Sequence, residues 1–175
     1  DSTPQRSRQQ DQEVGVVVWH SLKISISTDR PWTTAPAMTM KNGHILGQDT
    51  LQYTPSQASS DLKITQAVAV KAEQNEYEID RQRNAAEFYH YRYDLVTVKG
   101  ELKLTNFKSE PINVKITKDL SGEVMDAEND PEIVKLATGL KSVNARSQLV
   151  WEEGVKPGKD NAVTLEYNYK VYVRN

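Results

Sequence analysis

The sequence predicts an all-β protein built as an antiparallel β-sandwich, and three observations favour this fold class. Val, Ile, Thr and Tyr total 46 residues, whereas Ala and Leu, which favour helices, total 24. β-Branched and aromatic side chains suit a pleated, half-buried surface. Apolar and polar residues alternate along many short segments, and seven prolines and eight glycines interrupt them. We therefore expect short strands joined by turns in an immunoglobulin-like sandwich.

Length, charge and composition exclude several classes of protein. The 175 residues suit one continuous domain or two packed β lobes. The 22 basic and 24 acidic residues give a net charge of -2, which lacks the basic footprint of a nucleic-acid-binding protein. No apolar run approaches the ~18 residues of a transmembrane segment. The absence of Cys rules out disulfides and thiolate chemistry.

We expect three regions along the chain. Residues 1–13 are polar and rich in Gln, Arg and Ser, which predicts a linker or arm. Residues 14–82 predict an N-terminal β lobe, and residues 83–175 predict a C-terminal β-sandwich lobe, unless the two form one continuous domain. Because the chain begins with Asp, we expect a mature product or an excised piece of a longer protein.

The N-terminal lobe begins with alternating residues at 14–27, which predict a half-buried strand. Residues 37–40 and 44–46 predict two strands around a tight turn at Asn42 and Gly43. The polar residues 47–60 predict a loop that contains one short strand near 51–53. Further strands are indicated by the apolar residues Leu62, Ile64, Val68, Val70, Tyr77 and Ile79.

The C-terminal lobe begins with the longest strand-like region, residues 87–106. Its apolar residues have odd numbers up to Leu95 and even numbers from Val96 onward, which predicts a bulge or a strand that crosses between sheets. Residues 108–111 predict the turn of a plain hairpin. In that hairpin, Leu104 and Ile116 would face inward, and Lys103 and Lys115 would face outward.

The last third predicts an acidic loop at residues 119–131. Residues 132–140 predict either one or two helical turns that begin after Pro131 or a strand. Strands at 143–151 and 163–173 follow, separated by a turn at Pro157 and Gly158. Trp151 alternates with Leu149 and is predicted to be buried. The predicted core consists of Leu22, Ile24, Val68, Val98, Leu102, Leu104, Val114, Ile116, Leu149, Leu165 and Val171.

Three segments carry a resemblance to a known family. They are residues 100–116 (GELKLTNFKSEPINVKI), residues 31–38 with 46–55 (PWTTAPAM and LGQDTLQYTP), and residues 149–171, which contain LVW, VKPG and LEYNYKV. In this order they resemble the bacterial C-terminal domain of unknown function found in secreted or periplasmic proteins related to the mucoidy inhibitor proteins. The acidic segment 122–131 departs from the pattern. The resemblance implies an all-β domain in the cell envelope or outside the cell, with no established activity and no catalytic residues.

Aromatic residues provide the candidate ligand-binding site. Tyr89, Tyr91 and Tyr93 would lie on one strand face, where such a ladder can form a flat platform for a sugar or a peptide. Trp32 lies in a predicted loop, where an exposed ring would serve binding. Packing against the second sheet, or over the end of the sandwich, is the alternative for these side chains.

The acidic loop is a weak candidate for a calcium site. Asp126, Glu128 and Asp130 are spaced at alternate positions, and Ca²⁺ takes six to eight oxygen ligands. Pro131, however, stands where a calcium loop of the EF-hand type needs Gly. A solvated acidic loop is the simpler interpretation, and the sequence predicts no cofactor.

The sequence predicts a protein that is not an enzyme. His20, His44 and His90 are isolated, and the strand-turn-helix signature of serine hydrolases is absent. The leading hypothesis is an extracytoplasmic, bacterial β-sandwich module that serves protein interaction or scaffolding in a larger envelope protein. The alternatives are a carbohydrate-binding module that uses exposed aromatics, or a hydrolase whose His and Asp residues meet in loops.

Overall fold

A computed structural model describes residues 16–136, 138–139 and 141–175. About 70% of the structure is strand, and the paired strands run antiparallel, so the predicted fold class is confirmed. The arm at residues 1–13 and the first residues of the predicted strand at 14–27 lie outside the described residues. The chain divides into a smaller compact unit, Val17–Lys71, and a larger one that contains Ala72–Asn175. The lobe boundary at residue 82 stays a prediction.

The smaller unit consists of two antiparallel strand pairs, β1 with β4 and β2 with β3. Their bounds are Trp19–Ser25 for β1, Ala35–Lys41 for β2, His44–Leu51 for β3 and Ser59–Gln66 for β4. The turn between β2 and β3 is confirmed, because Asn42 and Gly43 have φ values of 50° and 79°, the left-handed conformation that two-residue hairpin turns require. The backbone N–H of Lys63 in β4 donates to Oδ2 of Asp49 in β3 at 2.8 Å and joins the two pairs.

Two sequence predictions for the smaller unit are wrong. Strand β3 continues to Leu51, so residues 47–51 are not loop; its polar residues Gln48 and Thr50 are exposed in a half-buried strand. Val68 lies in the turn after β4 and is 92% exposed, and Leu22 is exposed as well. The buried apolar residues of this unit are instead Ile26, Leu62, Ala67 and Val70.

Two sheets form the sandwich of the larger unit. One has the strand order β5-β6-β11-β8 and the other the order β7-β10-β9, a four-plus-three division as in immunoglobulin-like sandwiches. The strands are β5 (Val70–Phe88), β6 (Tyr91–Asn106), β7 (Ile112–Ser121), β8 (Glu123–Ala127), β9 (Glu132–Leu136), β10 (Arg146–Val155) and β11 (Val163–Arg174). Both sheets contribute to one core of Leu102, Leu120, Leu149, Trp151, Leu165 and Tyr167.

Most of the predicted core residues of the larger unit are buried or half-buried. Leu102, Leu104, Leu149 and Leu165 are buried, and Trp151 is buried as predicted. Val98, Val114, Ile116 and Val171 are half-buried. The largest core residue that the sequence prediction missed is Tyr167, which is fully buried.

The connection after β6 crosses between the sheets and is not the predicted hairpin. Strand β6 pairs with β11, whereas β7 pairs with β10. The predicted faces are nevertheless confirmed in β6, because Leu104 is buried and Lys103 is exposed. Alternation reports which side chains are buried and not which strand lies alongside, so the faces were predictable and the pairing was not.

Asn106 holds this crossing in place. Its side chain is fully buried, and its Nδ2 donates to the carbonyls of Glu110 at 2.8 Å and Val155 at 3.1 Å. Its Oδ1 accepts from the backbone N–H of Lys108 at 2.9 Å. These three bonds fold residues 106–110 back on themselves and fasten them to the end of β10.

The region 87–106 is two strands and not one. Tyr89 and His90, with φ values of 53° and 67°, form the tight turn between β5 and β6. The predicted bulge near Leu95 is also wrong, because β6 pairs with β11 without a register shift. From Asp94 to Leu104 the buried positions of β6 keep even numbers, since the buried residue before Val96 is the polar Asp94.

The segment predicted as an acidic loop, residues 119–131, is mostly strand. Strand β7 continues to Ser121, and β8 occupies Glu123–Ala127. The acidic residues Glu123 and Asp126 of β8 are exposed, so their carboxylates are solvated at the surface of a strand. Residues 132–136 form β9, which confirms the strand alternative there; Ala137 and Leu140 lie outside the described residues.

Candidate functional site

Trp32 is fixed by its backbone in the segment between β1 and β2. Its N–H donates to the carbonyl of Thr54 at 2.9 Å, and its own carbonyl accepts from the N–H of Thr54 at 3.0 Å. Thr54 is buried, and its hydroxyl donates to the carbonyl of Gln52 at 2.8 Å. The indole is half-buried. Its role in ligand binding stays a prediction.

Tyr89, Tyr91 and Tyr93 do not form the predicted ladder. Tyr89 lies in the turn between β5 and β6, so only the other two belong to a strand. The guanidinium carbon of Arg174 lies 3.5 Å from the centroid of the Tyr91 ring. The Tyr93 ring packs edge-on against Phe88, with centroids 5.5 Å apart. A sugar platform needs coplanar, uncovered rings. Here Arg174 covers one face of the Tyr91 ring, and the Tyr93 ring is packed against Phe88.

The three acidic residues of the weak calcium candidate lie in β8 (Asp126) and in the turn after it (Glu128 and Asp130). Oδ2 of Asp126 accepts from Nδ2 of Asn168 at 3.2 Å. Oε2 of Glu128 accepts from the backbone N–H of Glu166 at 3.2 Å. Asp130 lies in the turn between β8 and β9, with a φ of 42°. Within the described ranges, no group of three His, Asp or Glu side chains is arranged to hold a metal ion. The carboxylates of Asp126 and Glu128 therefore fasten β8 and its turn to β11.

Glu76 is the centre of a polar cluster that connects the two sheets. Its Oε1 accepts from the Tyr167 hydroxyl at 2.6 Å and lies 3.0 Å from Nζ of Lys118. Its Oε2 lies 3.5 Å from the Tyr169 hydroxyl. Burial first, and the Glu76 carboxylate second, raise the pKa of both phenols, that of Tyr169 to about 12. Both tyrosines therefore stay protonated at neutral pH and act as donors, which makes the cluster a structural connection.

A second polar cluster surrounds the buried Asp94 in β6. Its Oδ1 accepts from the backbone N–H of Asn84 at 2.9 Å, and its Oδ2 accepts from Nη1 of Arg81 at 3.0 Å. The N–H of Asn84 is the largest cause that lowers the pKa of Asp94, and Arg81 adds to it. Arg81 also pairs with Glu78 through Nη2 at 2.6 Å. The cluster satisfies an inward carboxylate and holds the β5–β6 hairpin closed.

The three histidines lie on three different elements. His20 is in β1 and His44 begins β3 in the smaller unit, while His90 is in the β5–β6 turn of the larger unit. A hydrolase site needs a His within reach of a carboxylate and a nucleophile. The carboxylates of the two clusters above are instead bonded to Arg, Lys, Tyr and backbone N–H groups.

An exposed apolar patch on the β2–β3 hairpin is the feature that sequence reasoning missed. Met38 and Met40 alternate with the half-buried Ala37 and Thr39 in β2, and Met40 pairs with Ile45 of β3 just beyond a register shift that skips Leu46. The three side chains therefore share one face, and they are 51%, 57% and 60% exposed. We call these three residues the hairpin patch. Exposed apolar clusters, and methionines in particular, are typical of surfaces that bind other proteins.

The opposite face of the same hairpin is the covered one. Ala37 and Thr39 are half-buried, and a methyl group on Gly47 would overlap the backbone of Ile64 in β4. Alternation of apolar and polar residues could not distinguish these faces, because Ala37 and Met38 are both apolar. Two methionines at alternate positions before an Asn-Gly turn were the available signal.

The fold and the site define an antiparallel β-sandwich domain joined to a small β unit that carries an exposed apolar hairpin. No family model matches the chain, and neither a comparison with curated proteins nor one with solved structures gives a match. Among the described residues, no helix is long and apolar enough to cross a membrane.

Proposed function

We propose that the chain is a protein-interaction module without enzymatic activity, and that the hairpin patch is its binding surface. The observation that carries this proposal is the exposure of Met38, Met40 and Ile45 on one face of one hairpin. Burying such side chains contributes about 25 cal/mol for each Å² of apolar surface removed from water. A partner that covers the patch would gain this free energy.

The distribution of apolar residues supports this assignment. Among the described residues, eighteen large apolar side chains are exposed, and nine of them belong to residues 17–71. That unit is less than a third of the chain. Single exposed apolar residues are ordinary on a protein surface, whereas a group of them on one face marks a site of interaction.

The polar clusters support a function other than catalysis. Glu76 and Asp94 are the centres of the two clusters, and each carboxylate is bonded to donors from its own chain. The pKa of Asp94 is lowered and the pKa values of Tyr167 and Tyr169 are raised. Each group is therefore moved away from the neutral range in which general acids and bases work best.

The proposed location is outside the bacterial cytoplasm, in the periplasm or the medium, as part of a larger envelope protein. This part of the proposal rests on the resemblance of residues 31–38 with 46–55, 100–116 and 149–171 to the envelope-associated domain. Fractionation of the producing bacterium with an antibody against the chain would test it. Recovery in the cytoplasmic fraction would contradict it.

A photo-crosslinking experiment tests the binding function. A photoreactive benzoyl-phenylalanine replaces Ile45 in the patch, or Ile133 of β9 as a matched control that is 49% exposed. In an envelope fraction we expect a discrete protein adduct from position 45 and none of the same mass from position 133. Mass spectrometry then distinguishes a protein adduct from a glycan adduct.

Competition makes this experiment specific for the patch. Unlabelled wild-type chain and the Met125→Ser variant should both suppress the adduct, since Met125 is 52% exposed in β8. The double variant Met38→Ser with Met40→Ser should not suppress it. Equal competition by all three proteins, or a glycan adduct, would show that the patch is not a protein-binding surface.

A further inference from the structure

We propose that the outer edge of β2 binds an extended peptide segment in which apolar side chains alternate with acidic ones, by addition of a strand to the sheet. This inference rests on the proposed protein-interaction function and names the kind of partner. The backbone of the peptide would continue the β2–β3 sheet, and its apolar side chains would cover the hairpin patch.

The outer edge of β2 is open to such a strand. Strand β3 is the one hydrogen-bonded neighbour of β2 among the described strands. Pro36 has no N–H, so it is tolerated in a strand where that group would point away from the paired neighbour. The register is continuous from Ala35 to Thr39. Met38, two residues after Pro36, therefore directs its N–H and carbonyl toward the same outer side.

The size of the patch favours a peptide over a folded partner. Three side chains that are 51–60% exposed offer far less than the ~800 Å² that each partner buries in a standard interface. In strand addition, backbone hydrogen bonds supply affinity that a small apolar area cannot. A second copy of this chain is less suitable, because an antiparallel β2–β2 pair would contain Pro36 twice and lose a donor each time. Residues 1–15 of this chain are less suitable as the occupant as well, because they contain a single large apolar residue, Val14.

The charge of the smaller unit favours an acidic segment. Residues 17–71 contain five Lys or Arg, three Asp and no Glu, a net charge of +2. Lys41 follows Met40 at the end of β2 and is exposed. Asp49, the acidic residue of this hairpin, accepts hydrogen bonds from the backbone N–H groups of Lys63 and Thr50, and these bonds lower its pKa. A peptide with acidic residues on the Thr39 and Lys41 side therefore meets a cation and no competing exposed carboxylate of β2 or β3.

The experiment titrates the ¹⁵N-labelled full chain with two synthetic peptides, acetyl-Val-Glu-Val-Glu-Val-amide and acetyl-Val-Lys-Val-Lys-Val-amide, and follows backbone amide shifts. We expect the Glu peptide to shift the amides of Met38 and its neighbours in β2, and the Lys peptide to bind several-fold more weakly. Lys41→Glu should weaken the Glu peptide roughly two- to fivefold, the size of an exposed charge pair. Lys23→Glu, an exposed lysine of β1, is the matched control and should change the affinity less.

Three outcomes would overturn the proposal: shifts confined to residues outside β2, equal binding of the two peptides, or no shift at millimolar peptide. N-methylation of the Glu peptide at alternate residues removes the N–H donors along one of its two edges. Because strand addition uses backbone donors, we expect the methylated peptide to lose binding through that edge. If the patch-dependent protein adduct forms but the Glu peptide leaves β2 unshifted, the strand-addition inference fails while the protein-interaction function stands. If neither occurs, both fail.

Discussion

Tyr167 lies directly opposite Gly100 in the pairing of β11 with β6, and its ring covers the glycine. A methyl group on Gly100 would overlap the ring carbons and the hydroxyl oxygen of Tyr167. Because Gly100 has no side chain, the fully buried ring of Tyr167 can lie directly over its backbone. Through its hydroxyl, the same ring reaches Glu76 in β5.

Gly100→Ala should therefore destabilise the larger unit by about 1–3 kcal/mol, as overpacking of a core does. Gly154→Ala in β10 is the control, because an added methyl group there would meet nothing closer than Oδ1 of Asn113 at 3.8 Å. We expect the control to stay within about 0.5 kcal/mol. Urea unfolding of the two variants measures the contrast, and equal effects would show that Tyr167 does not need the space over Gly100.

Stability should fall with rising pH above about pH 10. A phenol of the unfolded chain loses its proton near a pKa of 10, whereas burial raises the pKa of Tyr169 to about 12 and that of Tyr167 further. Between these values the folded state binds protons that the unfolded state has released, so deprotonation favours unfolding. The stabilisation is complete below pH 10 and falls as the pH rises, until about pH 12 for Tyr169 and beyond that for Tyr167. We expect urea midpoints to fall from pH 9 to pH 11, and to fall less in the double variant Tyr167→Phe with Tyr169→Phe.

The sequence predicted that Leu102 and Leu104 of β6 are buried, but not which strand lies beside β6. Burial of Leu104 and exposure of Lys103 follow from alternation, which is a local property. The crossing after β6 depends on Asn106, whose side chain bonds a carbonyl 49 residues away, in Val155. No local pattern indicates such a bond. A short polar connection between two alternating runs is equally typical of a hairpin.

Asp94 shows why the predicted bulge in β6 was wrong. A buried carboxylate at an even position interrupted the apolar pattern, so the apolar face seemed to change sides at Leu95. The partners that permit this burial are Arg81 and the N–H of Asn84, which lie on the preceding strand. The hairpin patch was missed for a related reason: both faces of β2 carry apolar residues, and only the position of β4 decides which face is covered.

Asn106→Ala should destabilise the larger unit by about 2–3 kcal/mol. The substitution removes three hydrogen bonds made by a fully buried side chain and leaves buried backbone groups without their partner. Asn161→Ala is the control, since Asn161 is exposed and donates to the carbonyl of Pro157 at 2.6 Å; its loss should stay near 0.5 kcal/mol. Thermal and urea unfolding of both variants would decide the matter. Equal losses would mean that Asn106 does not hold the crossing between the sheets.

The two faces of β6 can be distinguished by mutation, because a slip of one residue would exchange them entirely. Leu104 is 3% exposed, so Leu104→Ala should cost about 2–5 kcal/mol, as truncation of a buried Leu does. Lys103 is exposed and pairs with Thr164 of β11, so Lys103→Ala should change the free energy of unfolding by no more than about 0.5 kcal/mol. Urea unfolding of the two single variants measures both values. If Lys103→Ala were as damaging as Leu104→Ala, β6 would be shifted by one residue against β11, and Gly100 would then no longer lie opposite Tyr167.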